Sequence, residues 1–377
     1  MKIIYFSSVK YPTDKAYGVT IYYSMQALTE LGHDTKIMAP NNLYNSIDFK
    51  LLDFLQKNYI LILDRIISYT KNRFIFLVKR VSIALIAKRR IPEETDLLWI
   101  RDPLIGIFNQ NKIKNRKIVI EVHQRLSWFD IKVLKKIFIN KNVIIAPISI
   151  ALMSKLLGFG FDKSRIVMSP MAVPNVFFSS EYDIDSIDLS NRQINLGYIG
   201  GAFSLGMDQN LPSLISCVEK FYSYLINTDI KFQIFGIDSN VLDSEISNLK
   251  KLINSKIVTF HARMSHVDLL SNISTCNIFI LPYPENEFFA VRFPIKALEY
   301  ASLRRPILIT DTSSHRNIFN DDEVWFYESN NCDSLLLKLL EILEKPELVK
   351  KKVKNAFHKS LNFTYQNRVE TILKKLE

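Results

Sequence analysis

The chain has 377 residues, 48% hydrophobic and 23% charged, which excludes a disordered or collagen-like polypeptide and leaves room for two domains with full cores. Its net charge of +11 is uneven: residues 1–180 hold 27 Lys and Arg against 13 Asp and Glu, or +14, and the rest hold 22 against 25, or −3. A basic half of this kind meets an anionic partner, and charge alone leaves both nucleic acid and a membrane surface open.

The opening "MKIIYFSSVKYP" has too short an apolar run for a signal peptide and no small-residue cleavage site, so it reads as a buried strand. Further strands are expected at 34–40, 96–101, 117–123 and 142–149, after the first at 2–8. Between the first two, "GVTIYYSMQALTELGH" sets Ile21, Met25, Leu28 and Leu31 on one helical face, with Gly32 placed to stop the helix. Strand, helix and strand within this span make a βαβ unit with a parallel sheet. The densest basic stretch, residues 68–90, spaces its apolar residues helically among Lys71, Arg73, Lys79, Arg80, Lys88, Arg89 and Arg90. No apolar run there approaches the roughly 18 residues needed to span a bilayer. Two readings stay open: a basic helix lying on an anionic membrane, or a helix packed on the core with a solvated basic face.

After an irregular stretch at 171–193 the pattern restarts, with strands expected at 194–200, 231–236, 256–262, 278–283, 306–310 and 323–328. A helical pattern, "FTYQNRVETILKKLE", closes the chain. The α/β alternation predicts two doubly wound domains, whose ligands belong at the carboxyl ends of parallel strands, in a cleft between them. Cys217, Cys276 and Cys332 show no C-x-x-C spacing, which argues against a disulfide framework or a zinc site and suits a reducing cytoplasm.

The chemistry concentrates in "FPIKALEYASLRRPILIT", residues 293–310. Pro294 suits the first position of a helix, and Lys296 and Glu299 then share one face near its positive end. A phosphate prefers such an end, Arg292 adds a bidentate grip, and Glu299 can accept from two ribose hydroxyls. One ligand satisfying all three is a nucleoside diphosphate; the plain alternative is an i, i+3 salt bridge.

The longer segment "LPYPENEFFAVRFPIKALEYASLRRPILITD" resembles the donor site of GT-B glycosyltransferases, in particular glycosyltransferase family four and its capsule and O-antigen relatives. Other stretches fall in the family's order: "YGVTIYYSMQALTELGHDTKIMAP", "IRDP", "IEVH", "SKLLGFGFDKSRIVMSPMAVP", "LGYIGG", "VTFHARMSHVDLLSNISTCNIFILPY" and "FTYQNRVETIL". The resemblance implies two Rossmann-like domains facing across a cleft. Residues 1–175 with helix 361–377, crossing back, would bind acceptor, and 176–360 the nucleotide-sugar. It implies Glu299 on the ribose, Lys296 near the diphosphate, Arg263 and Met264 at the nucleobase, and Gly200 and Gly201 beneath the phosphates. Gly18 would be a loop glycine facing the donor, and His123 a contact of the transferred sugar; a core or capping histidine is the alternative.

Three departures matter. Val291 stands where the family's E-x7-E motif has its first glutamate, so Glu285 or Glu287 is the substitute if the role exists. No Arg or Lys follows "LGYIGG" in "GAFSLGMDQNLPSLISCVE", which shifts the phosphate task to Lys296 and Arg292. Arg304 takes a helix-end position that favours glycine, at roughly 1 kcal/mol if its φ is positive.

The implied activity is transfer of a sugar from a nucleotide-sugar to an acceptor hydroxyl, with retention and without a metal or other cofactor. Partners would be that donor, a glycan or lipid-linked acceptor, and an anionic membrane surface met by the basic half. The expected location is cytoplasmic, peripheral at the inner membrane face. No helix-turn-helix, RNP-like or zinc-finger framework supports nucleic acid. The alternatives are an epimerase-like enzyme of the same fold and a degenerate nucleotide-sugar binding protein.

Overall fold

The computed structural model describes residues 1–8, 11, 16–40, 59–62, 73–109, 116–179, 182–185, 187, 189, 193–204, 207–225, 227–237, 249–264 and 266–377. The chain divides into two units, Met1–Ala172 with Tyr365–Glu377, and Val173–Thr364.

Unit 1 is built on six parallel strands: β1 (Lys2–Phe6), β2 (Asp34–Pro40), β3 (Tyr59–Ile62), β4 (Leu97–Ile100), β5 (Lys117–Val122) and β6 (Val143–Pro147), in the order β3-β2-β1-β4-β5-β6. β1 pairs with β2 through Ile3↔Thr35 and with β4 through Ile3↔Leu97, so the chain reverses direction across the sheet at β1. β4 and β6 are continuous buried apolar runs, as strands covered on both faces require. β3 escaped the sequence reading; it is a short edge strand in the apolar run "YILI". Helix α1 (Ala16–Glu30) buries Ile21, Met25 and Leu28, and Gly32 beyond it takes φ +81°. The final helix, α10 (Tyr365–Lys374), packs on α1, with Tyr365, Val369 and Ile372 in the unit 1 core. Helices α2 (Arg73–Arg90), α3 (Pro103–Phe108) and α4 (Trp128–Phe138) pack in series, α2 on α3 and α3 on α4.

The basic stretch is therefore at least in part a core helix. Ile83, Ala84 and Ala87 of α2 are buried, and Arg80 bridges Asp102 at 2.7 Å and Asp130 at 2.6 Å. Arg80 is thereby removed from any solvated face. Lys71 lies outside the described residues.

Unit 2 repeats the plan with β7 (Ile194–Ile199), β10 (Ile230–Phe235), β11 (Val258–His261), β12 (Ile278–Leu281), β13 (Ile307–Thr310) and β14 (Trp325–Tyr327), ordered β11-β10-β7-β12-β13-β14. The first strand is again the reversal point, since β7 pairs with both β10 and β12. In such sheets ligands bind at the carboxyl end of that strand. A two-stranded antiparallel hairpin, β8 (Phe203–Ser204) and β9 (Met207–Asp208), follows β7 and was not foreseen. Helix α7 (Ile295–Ser302) lies between β12 and β13 in the chain and buries Ala297, Leu298, Tyr300 and Ala301.

The cysteines correct an expectation. Cys217 on α6 (Leu211–Lys220) and Cys332 at the start of α8 (Cys332–Glu344) form a disulfide, and Cys276 is free and buried. The pair is 115 residues apart, so no local spacing announces it.

Candidate active site

The site in unit 2 grows from the end of β7. There the chain turns through Gly200, whose φ of +153° only glycine adopts without strain and whose N–H donates to Phe235 O at 2.8 Å. Tyr300 on α7 ties the same strand end to the helix: its hydroxyl accepts from the Ile199 N–H at 2.9 Å, and its ring stacks on Phe279 at 4.5 Å. Gly201 O accepts from the Tyr198 hydroxyl at 2.8 Å and from Gln209 Nε2 at 2.7 Å, which holds the turn.

This anchoring puts Lys296 over the glycine. A Cβ on residue 200 would lie 1.9 Å from Lys296 Nζ, so the ammonium occupies the space that glycine leaves open. Glu299 follows one turn later. The i, i+3 ion pair is not formed, and neither side chain has a hydrogen-bond partner among the described residues. Burial pushes the Glu299 carboxyl up to about 7 and draws the Lys296 ammonium down to about 8, each partly offset by the other's charge. Lys296 Nζ lies 5.5 Å from the centre of the Tyr198 ring, and a cation and a carboxylate held in this way suit an anionic group and hydroxyls brought by a ligand. Pro294 stands one position earlier than expected, as the residue before the helix, with no side-chain cap on the first turn.

The remaining residues expected in unit 2 fall into two groups. Arg292 is half-buried with its guanidinium 4.1 Å from the centre of the Phe288 ring, and burial lowers its pKa. Arg263 is exposed in the loop after β11, and Met264 packs against the core there. Glu285 caps the short helix Ser313–Arg316, accepting from Ser313 N at 2.6 Å and Ser313 Oγ at 2.8 Å. Glu287 is exposed in the first turn of the short helix Glu287–Ala290, and Val291 is buried. Arg304 has φ +55°, so the anticipated strain of about 1 kcal/mol is present.

Two residues that sequence reasoning missed border this region. Tyr283 is partly buried, and desolvation and the Glu299 charge raise its pKa. Its ring stacks on His315, a buried histidine drawn down to about 4 by desolvation, whose Nε2 has no hydrogen-bond partner among the described residues. Neither stands in a pattern distinguishable from ordinary core residues.

In unit 1, His123 follows β5. Its Nε2 lies 2.7 Å from Glu121, whose side chain is fully buried. Glu121 also accepts from Tyr5 at 2.9 Å, Arg101 at 3.0 Å and Arg368 on α10, and these cations hold its carboxyl well below the usual range. An ionised Glu121 only accepts, so His123 carries its proton on Nε2; burial and Arg101 keep the ring neutral, down to about 4. Nδ1 is thereby left as an acceptor. Gly18 corrects a further expectation, because it is buried in the first turn of α1 rather than in a loop. Among the described residues, no group of three or more His, Cys, Asp or Glu is arranged to hold a metal ion.

Residues 205–359 match the family model for glycosyl transferases group 1. No curated protein sequence matches the chain. Among solved structures, a glycosyltransferase from Rickettsia africae superimposes with a TM-score of 0.71 at 19% identity, over 100% of this chain and 97% of that one. HepE from Anabaena, in complex with UDP, gives 0.68 at 12% identity, covering 100% and 99%. The lipopolysaccharide outer core galactosyltransferase WaaB gives 0.64 at 14%, covering 100% and 99%. Residues 205–359 thus resemble a group 1 glycosyl transferase domain, and the chain has the two-domain fold of the GT-B glycosyltransferases.

Proposed function

We propose that the chain transfers a sugar from a nucleoside diphosphate sugar to an acceptor hydroxyl in the synthesis of a cell-surface polysaccharide or glycolipid. The observation that carries this reading is Lys296 laid across Gly200, with Glu299 one turn along, neither side chain hydrogen-bonded or ion-paired among the described residues, at the reversal point of the unit 2 sheet. The Lys296 ammonium and the N–H groups at the start of α7 would meet the diphosphate, and Glu299 the ribose hydroxyls. Arg292, Arg263 and Met264 complete the proposed donor site, at the phosphates and the base.

As the glycosidic bond breaks, negative charge gathers on the leaving diphosphate. Fixed positive groups aimed at that charge lower the barrier without reorganising. Lys296 and Arg292 supply this role with no metal required by the scheme, and the departing phosphate can take the acceptor's proton with retention at the anomeric carbon. His123, neutral with an acceptor at Nδ1, suits a hydroxyl of the transferred sugar, the role its family resemblance implies. Glu285, which accepts from Ser313, and Glu287, in the first turn of the helix Glu287–Ala290, are the two candidates for the missing first glutamate. A lipid-linked acceptor at the inner membrane face fits the basic character of residues 1–180.

A thermal-shift panel of UDP-, GDP-, ADP- and TDP-sugars tests the reading, because a ligand bound to the folded state stabilises it by mass action. The UDP seen with Anabaena HepE makes uridine the first to try. One nucleotide should raise the Tm of the wild type, and Lys296→Ala and Glu299→Ala should lose most of that rise and of turnover. Full nucleotide binding in both variants would refute the site.

A further inference from the structure

The surface of unit 1 concentrates positive charge and exposed apolar side chains on α4, outside the stretch to which charge density first points. Ser127 caps this helix, accepting from the Asp130 N–H at 3.1 Å. Ile131, Leu134, Ile137 and Phe138 are buried and hold it to the unit. The opposite stripe runs Trp128, Lys132, Lys135 and Ile139, at steps of four, three and four residues, with Phe129 and Lys136 beside it. Trp128 is 72% exposed, Ile139 81% and Phe129 41%. Tryptophan is on average highly buried, so one this exposed at the head of a basic stripe is unusual.

The single acidic residue of α4 does not offset the lysines on that face. Asp130 turns to Arg80, which it meets at 2.6 Å, and to the Ser127 hydroxyl. Lys132, Lys135 and Lys136 are exposed, and Lys132 Nζ lies 3.5 Å from the centre of the Trp128 ring. Two large apolar groups thus stand about 16 Å apart along one helix face, at 1.5 Å per residue, with lysines between them. Among the described residues, no helix is long and apolar enough to cross a membrane. A short helix with this stripe can instead lie flat, its lysines at anionic headgroups and its aromatic and aliphatic ends at the acyl boundary.

We infer that the outer face of α4 is a docking surface for an anionic lipid bilayer, with Trp128 and Ile139 as apolar anchors and Lys132, Lys135 and Lys136 as headgroup contacts. The inference rests on the reading above that the acceptor is presented at a membrane, and it names the element that meets it. Charge complementarity selects the occupant: a second copy of the chain would bring the same three lysines face to face, whereas an anionic bilayer neutralises them.

The protein carries its own reporter. Of its three tryptophans, Trp99 and Trp325 are 0% and 1% exposed, so a lipid-induced change in emission reports on Trp128. The full chain is mixed, without nucleotide, with vesicles of phosphatidylcholine alone or phosphatidylcholine and phosphatidylglycerol in equal parts. The anionic vesicles should shift the emission to the blue and sediment the protein, the neutral ones should do neither, and 0.5 M salt, a concentration of about this order, should reverse both. Lys132→Glu/Lys135→Glu/Lys136→Glu should weaken partitioning by on the order of 100-fold. Trp128→Ser/Ile139→Ser should weaken it independently of charge, with unchanged thermal unfolding showing that each variant folds.

No emission shift on anionic vesicles, or undiminished binding by both variants, overturns the inference. So does loss of binding in Lys88→Glu/Arg89→Glu/Arg90→Glu when the α4 variants still bind, which would move the surface to α2. A lipid-free dimer with Trp128 shielded would assign the face to a second copy. Glu299→Gln should sediment like the wild type, so failure of the donor-site reading and failure of this one are separable.

Discussion

Glu299→Gln should stabilise the empty protein while weakening its hold on the nucleotide. Burial moves the Glu299 carboxyl from its ordinary 4.5 to about 7. Between those values the folded chain keeps a proton that the unfolded chain has released, so the Glu299 contribution to stability falls as pH rises through that window and is level above it. At 1.36 kcal/mol per pKa unit this is roughly 3 kcal/mol. Glu299 is partly exposed, and solvent screening reduces the figure to about 1–2 kcal/mol.

Glutamine keeps the shape and carries no charge, so the variant avoids that loss. At pH 8 its Tm should exceed the wild type's by roughly 2–8 °C, and at pH 4.5 the two should coincide. A uridine diphosphate titration should show the opposite order. Hydrogen bonds to a charged acceptor are worth about 1.5–3 kcal/mol, so affinity should fall about 10- to 100-fold. Differential scanning fluorimetry across pH 4.5–8, with and without nucleotide, reads both effects. A variant less stable than the wild type at pH 8, or a wild-type Tm that does not fall relative to the variant's between pH 4.5 and 7, refutes the argument that this site stores an uncompensated charge.

Gly200→Ala should weaken nucleotide binding at least tenfold, because its methyl claims the space of Lys296 Nζ, and should cost only about 1 kcal/mol in stability from the positive φ. Calorimetric titration giving wild-type affinity would show that Lys296 does its work elsewhere. Arg368→Ala should destabilise unit 1 by about 3–5 kcal/mol, since it leaves Glu121 buried with fewer cations; urea unfolding with an unchanged midpoint would contradict this. Reduction of Cys217–Cys332 should destabilise unit 2 by about 2–4 kcal/mol, and a Tm indifferent to reductant, with both thiols titratable beforehand, would count against the bond.

The sequence was most readable where the physics is local. The βαβ rhythm, Ile21, Met25 and Leu28 on one face of α1, and Gly32 at its end follow from side-chain periodicity and φ preference. Lys296 and Glu299 stood out because three residues apart on a helix means one shared face. β3 was harder, because four apolar residues at a sheet edge have no period to display. The charge of residues 68–90 read as one continuous surface until Arg80 was seen to point inward to Asp102 and Asp130.

Glu121 marks the other limit. In "KIVIEVH" it reads as a single polar residue in an apolar strand, yet Tyr5, Arg101, His123 and Arg368 converge on it, the last from 247 residues away. The cysteine pair, separated by 115 positions, was hidden for the same reason. Helix and strand character, the two-domain plan and the residue types of α7 were determined by the sequence alone, because they depend on neighbours within a turn or a pleat. Which charges are neutralised, which glycine a lysine covers, and which lysines stay exposed beside a bare tryptophan were decided only by the tertiary structure. Burial and ion pairing depend on distance in space, and distance along the chain does not report it.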